Sequence, residues 1–234
     1  MLIGDHELYR FVLPLMTSNM YVMLSGDKGL VIDPLVSPEA EKLLREHDIK
    51  ELLIILTHEH FDHISGVNSL RALMAGQKES RGCKVLASAG CAEAIKDPAE
   101  NLSAFFSAVF IKHSEEERLL ARTIFDKTYC CEADDNFHEE TEVHWEELTL
   151  RLKATPGHSP GSICIEIYDT NGNLIALATG DSLVQGNKVI TRLPGGDRKA
   201  YNSITRPYLE SFDGDTLVLP GHGETDFIKN LELG

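Results

Sequence analysis

The sequence predicts one compact α/β domain. Its 234 residues are enough to bury a substantial core and suit at most two very small units. A strand, helix, strand unit spans residues 52–88, the alternation expected where helices pack on a sheet. Four strand-like runs also end in ligand-type residues: LLIIL in THEHFDH, LTLRLKAT in PGHS, LIALAT in GDS and TLVL in PGHG. The C-terminal ends of strands are where α/β folds carry their sites.

The elements follow in chain order. FVLPLMTSNMYVMLSGDKGLVID divides into two or three strands joined at Gly26-Asp27-Lys28-Gly29, a hairpin-type turn. PEAEKLLREH opens on a proline and keeps its apolar residues on one face, which predicts a helix over about residues 38–47. The strand LLIILT leads into the histidine-rich loop; GVNSLRALMA predicts a helix over about 66–75, and KVLAS a second strand. Residues 92–126 read as helical, from PAENLSAFFSAVF to EEERLLARTIF, with an interruption near Lys112-His113-Ser114. Strands then return: LTLRLKAT, SICIEIY with Ile163, Ile165 and Ile167 alternating against Cys164, Glu166 and Tyr168, LIALAT after the turn Asn171-Gly172-Asn173, and TLVLP at 216–220.

Composition narrows the function classes. The chain has 37 acidic against 22 basic residues, a formal charge of −15 without a Lys/Arg run, which argues against a surface that tracks nucleic-acid phosphates. An acidic block from Glu132 to Glu147 is expected to be a solvated loop or helix face. The five cysteines are odd in number and form no CxxC pair, as expected of a reduced, cytoplasmic chain. The start MLIGDHELYR carries acids where a secretory signal carries bases, and no apolar run reaches the roughly 18 residues of a membrane span. A small-molecule substrate is therefore expected, with neither nucleic acid nor membrane as partner.

The ligand-type residues have a local geometry. His58 and His60, two apart in an extended segment or loop, point to the same side and can share one ion; in a helix they would diverge by about 200°. Asp62 and His63 lie near the next helix start and reach a second ion, which two-metal hydrolytic sites place about 3.5–4 Å from the first. His158, Asp181 and His222 supply the remaining positions, and a carboxylate has two oxygens with which to bridge. Five imidazoles and two carboxylates without a thiolate suit Zn(II), Fe(II) or Mn(II). Glycines in PGHS, TGDS and PGHG allow sharp turns close to the ions. Thr57, Thr155 and Thr179 are either hydrogen-bond partners of the ligands or packed strand ends. Glu59 and Phe61 read as spacers. His6, His47, His113, His138 and His144 have no such placement and read as ordinary polar residues.

These residues resemble the signature of the metallo-β-lactamase superfamily, HxHxDH, here His58-Glu59-His60-Phe61-Asp62-His63, with later matches at His158 in TPGHSPGS, Asp181 in TGDSL and His222 in PGHGET. The resemblance runs from SNMYVM and VIDP to PGHG. It implies a four-layer αββα sandwich, two mixed β-sheets flanked by helices. It also implies a first ion on His58, His60 and His158, a second on Asp62, His63 and His222, and Asp181 with a hydroxide bridging them. Two divalent ions, zinc foremost with iron or manganese as alternatives, are the implied cofactors. The family's class B1 and B2 β-lactamases carry a cysteine ligand where Asp181 stands here, which counts against antibiotic hydrolysis.

Within the superfamily, GDSLVQGNKVITRLPGGDRKAYNSI followed by PGHGETDF resembles short glyoxalase II-like (hydroxyacylglutathione hydrolase-like) proteins. The chain departs from that pattern where Gly186-Asn187-Lys188 replaces a GCGR-like stretch, and only twelve residues follow His222, too few for the helical domain that binds glutathione in full-length glyoxalase II. The reading is one domain over residues 1–234, with a helical insertion over about 98–145 capping the active-site mouth. Phe105, Phe106 and Phe110 either line that mouth or pack on the sandwich. Lys188 and Arg192, with Arg198 and Lys199, either hold an acidic substrate tail or form a solvated loop.

The expected activity is hydrolysis of a thioester, lactone or ester carbonyl, with Asp62 also orienting the nucleophile or passing a proton. One alternative is a mononuclear Fe(II) persulfide dioxygenase on the same scaffold. Another is a regulatory or biosynthetic binding protein with residual thioesterase activity. Nuclease action is disfavoured by the charge.

Overall fold

The computed structural model describes residues 1–184 and 188–231. Thirteen strands form two sheets among these residues. The first, in chain order, contains β1 (Leu2–Ile3), β2 (His6–Val12), β3 (Asn19–Ser25), β4 (Lys28–Ile32), β5 (Glu51–Ile55), β6 (Gly82–Ser88) and β7 (Asp135–Phe137). Its neighbours are antiparallel up to β4 and parallel from β4 to β7. The second contains β8 (Glu140–Trp145), β9 (Leu148–Ala154), β10 (Ile163–Tyr168), β11 (Leu174–Gly180), β12 (Leu217–Pro220) and β13 (Asp226–Phe227), with only β11 and β12 parallel. Both sheets are mixed, as the αββα reading expects.

Strand alternation builds the layers. In β4, Leu30 and Ile32 face the second sheet, whereas Val31 faces the helices. Both faces of β4 and β5 are covered, which is why GLVI and LLII read as continuous apolar runs. Across the inter-sheet core, Ile163, Ile165 and Ile167 of β10 meet Leu30, Ile32 and Ile55. The intervening Cys164 faces outward, where it packs with Leu177, Leu209 and Val218.

Helices cover the outer faces. α1 (Pro38–Glu46) has proline in its first turn and is capped by Ser37, whose side chain accepts from Ala40 N at 3.2 Å. α2 (Phe61–Ile64) is a single turn, followed by α3 (Val67–Gly76) and α4 (Ala89–Ala94). α5 (Phe106–Val109) and α6 (Glu115–Ile124) follow, α6 opening on a Ser114–Glu117 capping box. α7 (Arg198–Ala200) and α8 (Arg206–Glu210) flank a π-helical stretch, Tyr201–Thr205. The first helices agree with the sequence reading to within one residue at each end.

Two sequence expectations change. The acidic block is a loop only in part: Glu132, Asp134, Glu139, Glu146 and Glu147 lie in loops and turns, whereas Asp135–Phe137 and Glu140–Trp145 are edge strands, one per sheet. Charged side chains on an exposed edge discourage pairing with another chain. The 98–145 segment is therefore helical only in its first part, in short pieces rather than one long run. No helix among the described residues is long and apolar enough to cross a membrane.

Candidate metal centre

The site is assembled at strand ends. β5 delivers Thr57 and His58, and His60 stands at the N-terminus of α2, which carries Asp62 and His63. His158 lies in the turn between β9 and β10, Asp181 directly after β11, and His222 directly after β12. Two glycines make the approach possible. Gly180 has φ +48°, and a Cβ there would lie 2.5 Å from Thr57 Oγ1; a Cβ on Gly221 would lie 2.2 Å from Asp181 Oδ1.

All seven predicted ligands converge. Donor atoms of His58, His60 and His158 lie within 4.8 Å of one another, and so do those of Asp62, His63 and His222. Asp181 stands between the groups: Oδ2 is 3.4 Å from both His158 Nε2 and His222 Nε2, and Oδ1 is 3.4 Å from His63 Nε2. Asp33, His58 and His63 form a third cluster of the same size.

The donor set fits cations. Four imidazoles use Nδ1 outward: His58 against Thr57 Oγ1 at 3.0 Å, His63 against Asp33 Oδ2 at 3.0 Å, His158 against Ile190 O at 2.8 Å and His222 against Met16 O at 2.9 Å. A proton donated to those oxygens leaves Nε2 as an inward lone pair. His60 turns Nδ1 inward, 2.9 Å from His158 Nε2, and His63 Nε2 faces His222 Nε2 at 3.3 Å. His58 Nε2 and Asp181 Oδ1 are buried without a hydrogen-bond partner. Bare nitrogens and oxygens aimed at one another are costly unless positive charge lies between them.

Electrostatics separates the two groups. Burial pushes His60 down to about 3 and holds His58 well below the ordinary histidine range, so both rings are neutral. Burial also opposes charge on His63, but Asp181, Asp62 and Asp33 outweigh it and push this ring up to about 10. His222 is raised in the same way: burial opposes, while Asp181 and Asp62 prevail. Against burial, His63 and His222 hold the carboxyls of Asp62 and Asp181 below the usual range.

Several residues at the site escaped sequence reasoning. Asp33, at the end of β4, accepts from Thr57 N at 2.7 Å and Thr57 Oγ1 at 2.6 Å as well as contacting His63. Its only sequence signal was its place after a strand, in VIDP. Glu59 and Phe61 are not spacers. Buried Glu59 accepts from Ser159 Oγ at 3.0 Å and Gly161 N at 3.5 Å, tying the HEHFDH segment to the His158 turn. Phe61 packs with Phe106, Phe110, Phe125 and Tyr129. Phe106 and Phe110 thus belong to that aromatic cluster, whereas Phe105 is exposed. Of the three threonines, only Thr57 touches a ligand; Thr155 Oγ1 meets Cys164 and Ser182, and Thr179 Oγ1 donates to Leu183 O.

A cavity of about 790 Å³ opens onto His158, Asp181 and His222. Lys188, Arg192 and Arg198 line it with Thr17 and Val184, and Lys199 is exposed close by in sequence. None of these four bases forms an ion pair among the described residues, although Lys28, Arg71, Arg81 and Lys84 elsewhere all do. Gly186 and Asn187 of the departing stretch lie outside the described residues.

Comparison with known proteins agrees with this geometry. The model of the metallo-beta-lactamase superfamily matches residues 13–73, which contain Asp33 and the whole HEHFDH segment. The chain carries a metallo-beta-lactamase superfamily domain. It is 28% identical over 219 residues, 92% of this chain and 90% of the relative, to the probable metallo-hydrolase YqgX of Bacillus subtilis. It is 21% identical to human mitochondrial persulfide dioxygenase ETHE1, covering 86% of this chain but 63% of that protein. Among solved structures, the BLEG-1 B3 metallo-beta-lactamase superposes with a TM-score of 0.70 at 27% identity, covering 96% of this chain and 95% of that one. TTHA1623 in a di-iron-bound form gives a TM-score of 0.63 at 24% identity, covering 95% and 96%. The superfamily fold, with its typically hydrolytic members and its clustered metal-binding side chains, therefore accounts for the whole sandwich.

Proposed function

We propose that the protein is a metal-dependent hydrolase that cleaves a thioester, or a lactone or ester, in the manner of glyoxalase II, using two divalent ions, zinc first. The observation that carries the reading is Asp181, whose two oxygens reach His63 on one side and His158 and His222 on the other. His58, His60 and His158 would hold one ion, Asp62, His63 and His222 the other, and Asp181 would touch both. Such ions lower the pKa of bound water toward about 7 and polarise a carbonyl oxygen.

The chain's own groups do the rest. Outward Nδ1 bonds hold four rings with Nε2 toward the site, so little reorganisation is needed at reaction. Asp62, beside His63 and His222, would orient the attacking water or pass its proton. Lys188 and Arg192 at the cavity rim attract the anionic part of a substrate, a role favoured by their having no ion pair among the described residues of a chain of charge −15.

Metal analysis by mass spectrometry, together with turnover on a panel of thioesters, lactones, phosphoesters and a β-lactam, tests this. Two ions per chain and selective turnover of thioesters or lactones are expected; turnover unaffected by stripping the metal sinks the reading. A second reading, persulfide dioxygenation at a single Fe(II), is favoured by the similarity to human ETHE1. Oxygen uptake with glutathione persulfide by iron-loaded protein, without thioester cleavage, would select it.

A further inference from the structure

The turn between β2 and β3 belongs to no ligand motif, yet it touches the second group of ligands twice. Ser18 Oγ donates to Asp62 Oδ2 at 2.7 Å, and both residues are buried. Met16 O accepts from His222 Nδ1 at 2.9 Å, and Ser18 forms an isolated β-bridge with His222. The following residues clamp the same loop: Asn19 N donates to Gly221 O at 2.7 Å, Asn19 Nδ2 to Pro220 O at 2.9 Å and Gly223 O at 2.8 Å, and Tyr21 OH to Pro220 O at 2.8 Å.

The turn itself is strained. Leu15 has φ +75° and Thr17 φ +60°, left-handed values that branched side chains rarely adopt. Leu13 O accepts from Thr17 N at 3.0 Å and Leu13 N donates to Ser18 O at 2.9 Å, which closes the turn on itself and aims the Ser18 hydroxyl at Asp62. Strain of this kind persists where the surroundings over-determine it, and it gathers at functional sites. The oxygen that Ser18 holds is the one facing His63 Nε2 at 3.6 Å and His222 Nε2 at 3.5 Å. A carboxylate oxygen has two lone pairs; with one on Ser18, the other is directed between the two rings.

We propose that the β2–β3 turn sets the affinity of the second metal position, Asp62, His63 and His222, with Ser18 as its positioning residue. The proposal rests on the two-ion reading above. The first position, His58, His60 and His158, has no contact with this turn among the bonds described and stays as it is.

Cobalt(II) titration of chelator-stripped protein, followed by visible absorption and by competition with a chelator, separates the two binding steps. In Ser18→Ala one of the two steps falls by about 10–100-fold, the usual cost of losing a partner of a metal ligand, and the other is unchanged. Ser18→Thr keeps the hydroxyl and retains both steps. The split between steps is the readout that general damage to the fold does not produce. Two unchanged steps in Ser18→Ala, two steps falling together, or a Ser18→Thr protein that behaves like Ser18→Ala overturns the role of Ser18. Wild-type protein that takes up fewer than two cobalt ions overturns the two-ion reading instead, so the two failures are distinguishable.

Discussion

The two halves of the candidate centre are built from similar side chains but held by different parts of the fold. His58, His60 and His158 are braced by Thr57 on His58, with Asp33 behind it, by Glu59 on the His158 turn, and by Ile190 O on His158. Asp62, His63 and His222 are braced by the first strands, through Ser18, Asp33 and Met16. Their charge differs as well: burial keeps His58 and His60 neutral on one side, whereas His63 on the other is pushed up to about 10. Ligand identity alone therefore does not make two positions equivalent; the groups behind the ligands set orientation and charge.

The comparison can be broken most severely at the residue both halves share. Asp181→Ala removes the carboxylate that reaches both groups, and turnover should fall by more than about 1,000-fold, a barrier increase of about 4 kcal/mol. Steady-state kinetics alongside metal counting checks this; loss of one ion with turnover retained would show that the halves work independently.

Phe61 separates His60 of one half from Asp62 of the other and is fully enclosed by aromatic neighbours. Phe61→Ala should cost about 3–5 kcal/mol of stability in urea unfolding, because a large ring leaves a cavity. A loss below about 1 kcal/mol would mean that the two halves do not share this support.

Proton release sharpens the contrast in charge. Only the neutral ring binds an ion, so loading the second position near neutral pH expels the proton of His63, whose pKa is pushed up to about 10. Its apparent affinity should rise about tenfold per pH unit between about pH 6.5 and 9. The first position, where burial keeps His58 and His60 neutral, should change little. Cobalt titrations at several pH values measure both slopes, and equal slopes would contradict the assignment.

The mildest perturbation is Glu59→Ala, which leaves Ser159 Oγ and Gly161 N short of an acceptor and should cost about 1–3 kcal/mol. It should weaken the first binding step selectively, the mirror image of Ser18→Ala. Weakening of the second step instead would reverse the division of labour.

Much of this molecule was legible in the order of its residues. Apolar runs, continuous in LLII and alternating in SICIEIY, marked the strands, and ligand-type residues after four of the strand-like runs marked the site, because a strand's direction carries its next residues to one edge of the sheet. The acidic edge strands were missed because their charges masked the alternation of Thr141, Val143 and Trp145. Phe61 was missed because its partners, Phe106 and Phe125, lie far along the chain.

By itself, then, the periodicity and strand direction of the sequence determined the α/β class and the ligand-type side chains gathered at four strand ends, while the two mixed sheets were implied only by the family resemblance. Tertiary structure alone decided which nitrogen each histidine turns inward, that Ser18, Asp33 and Glu59 stand behind the ligands, and that three carboxylates surround His63 while burial dominates around His58 and His60. Hydrogen bonds between residues 30 to 100 positions apart leave no periodic trace in a chain. Their geometry exists only once the two sheets have packed and excluded water from between them.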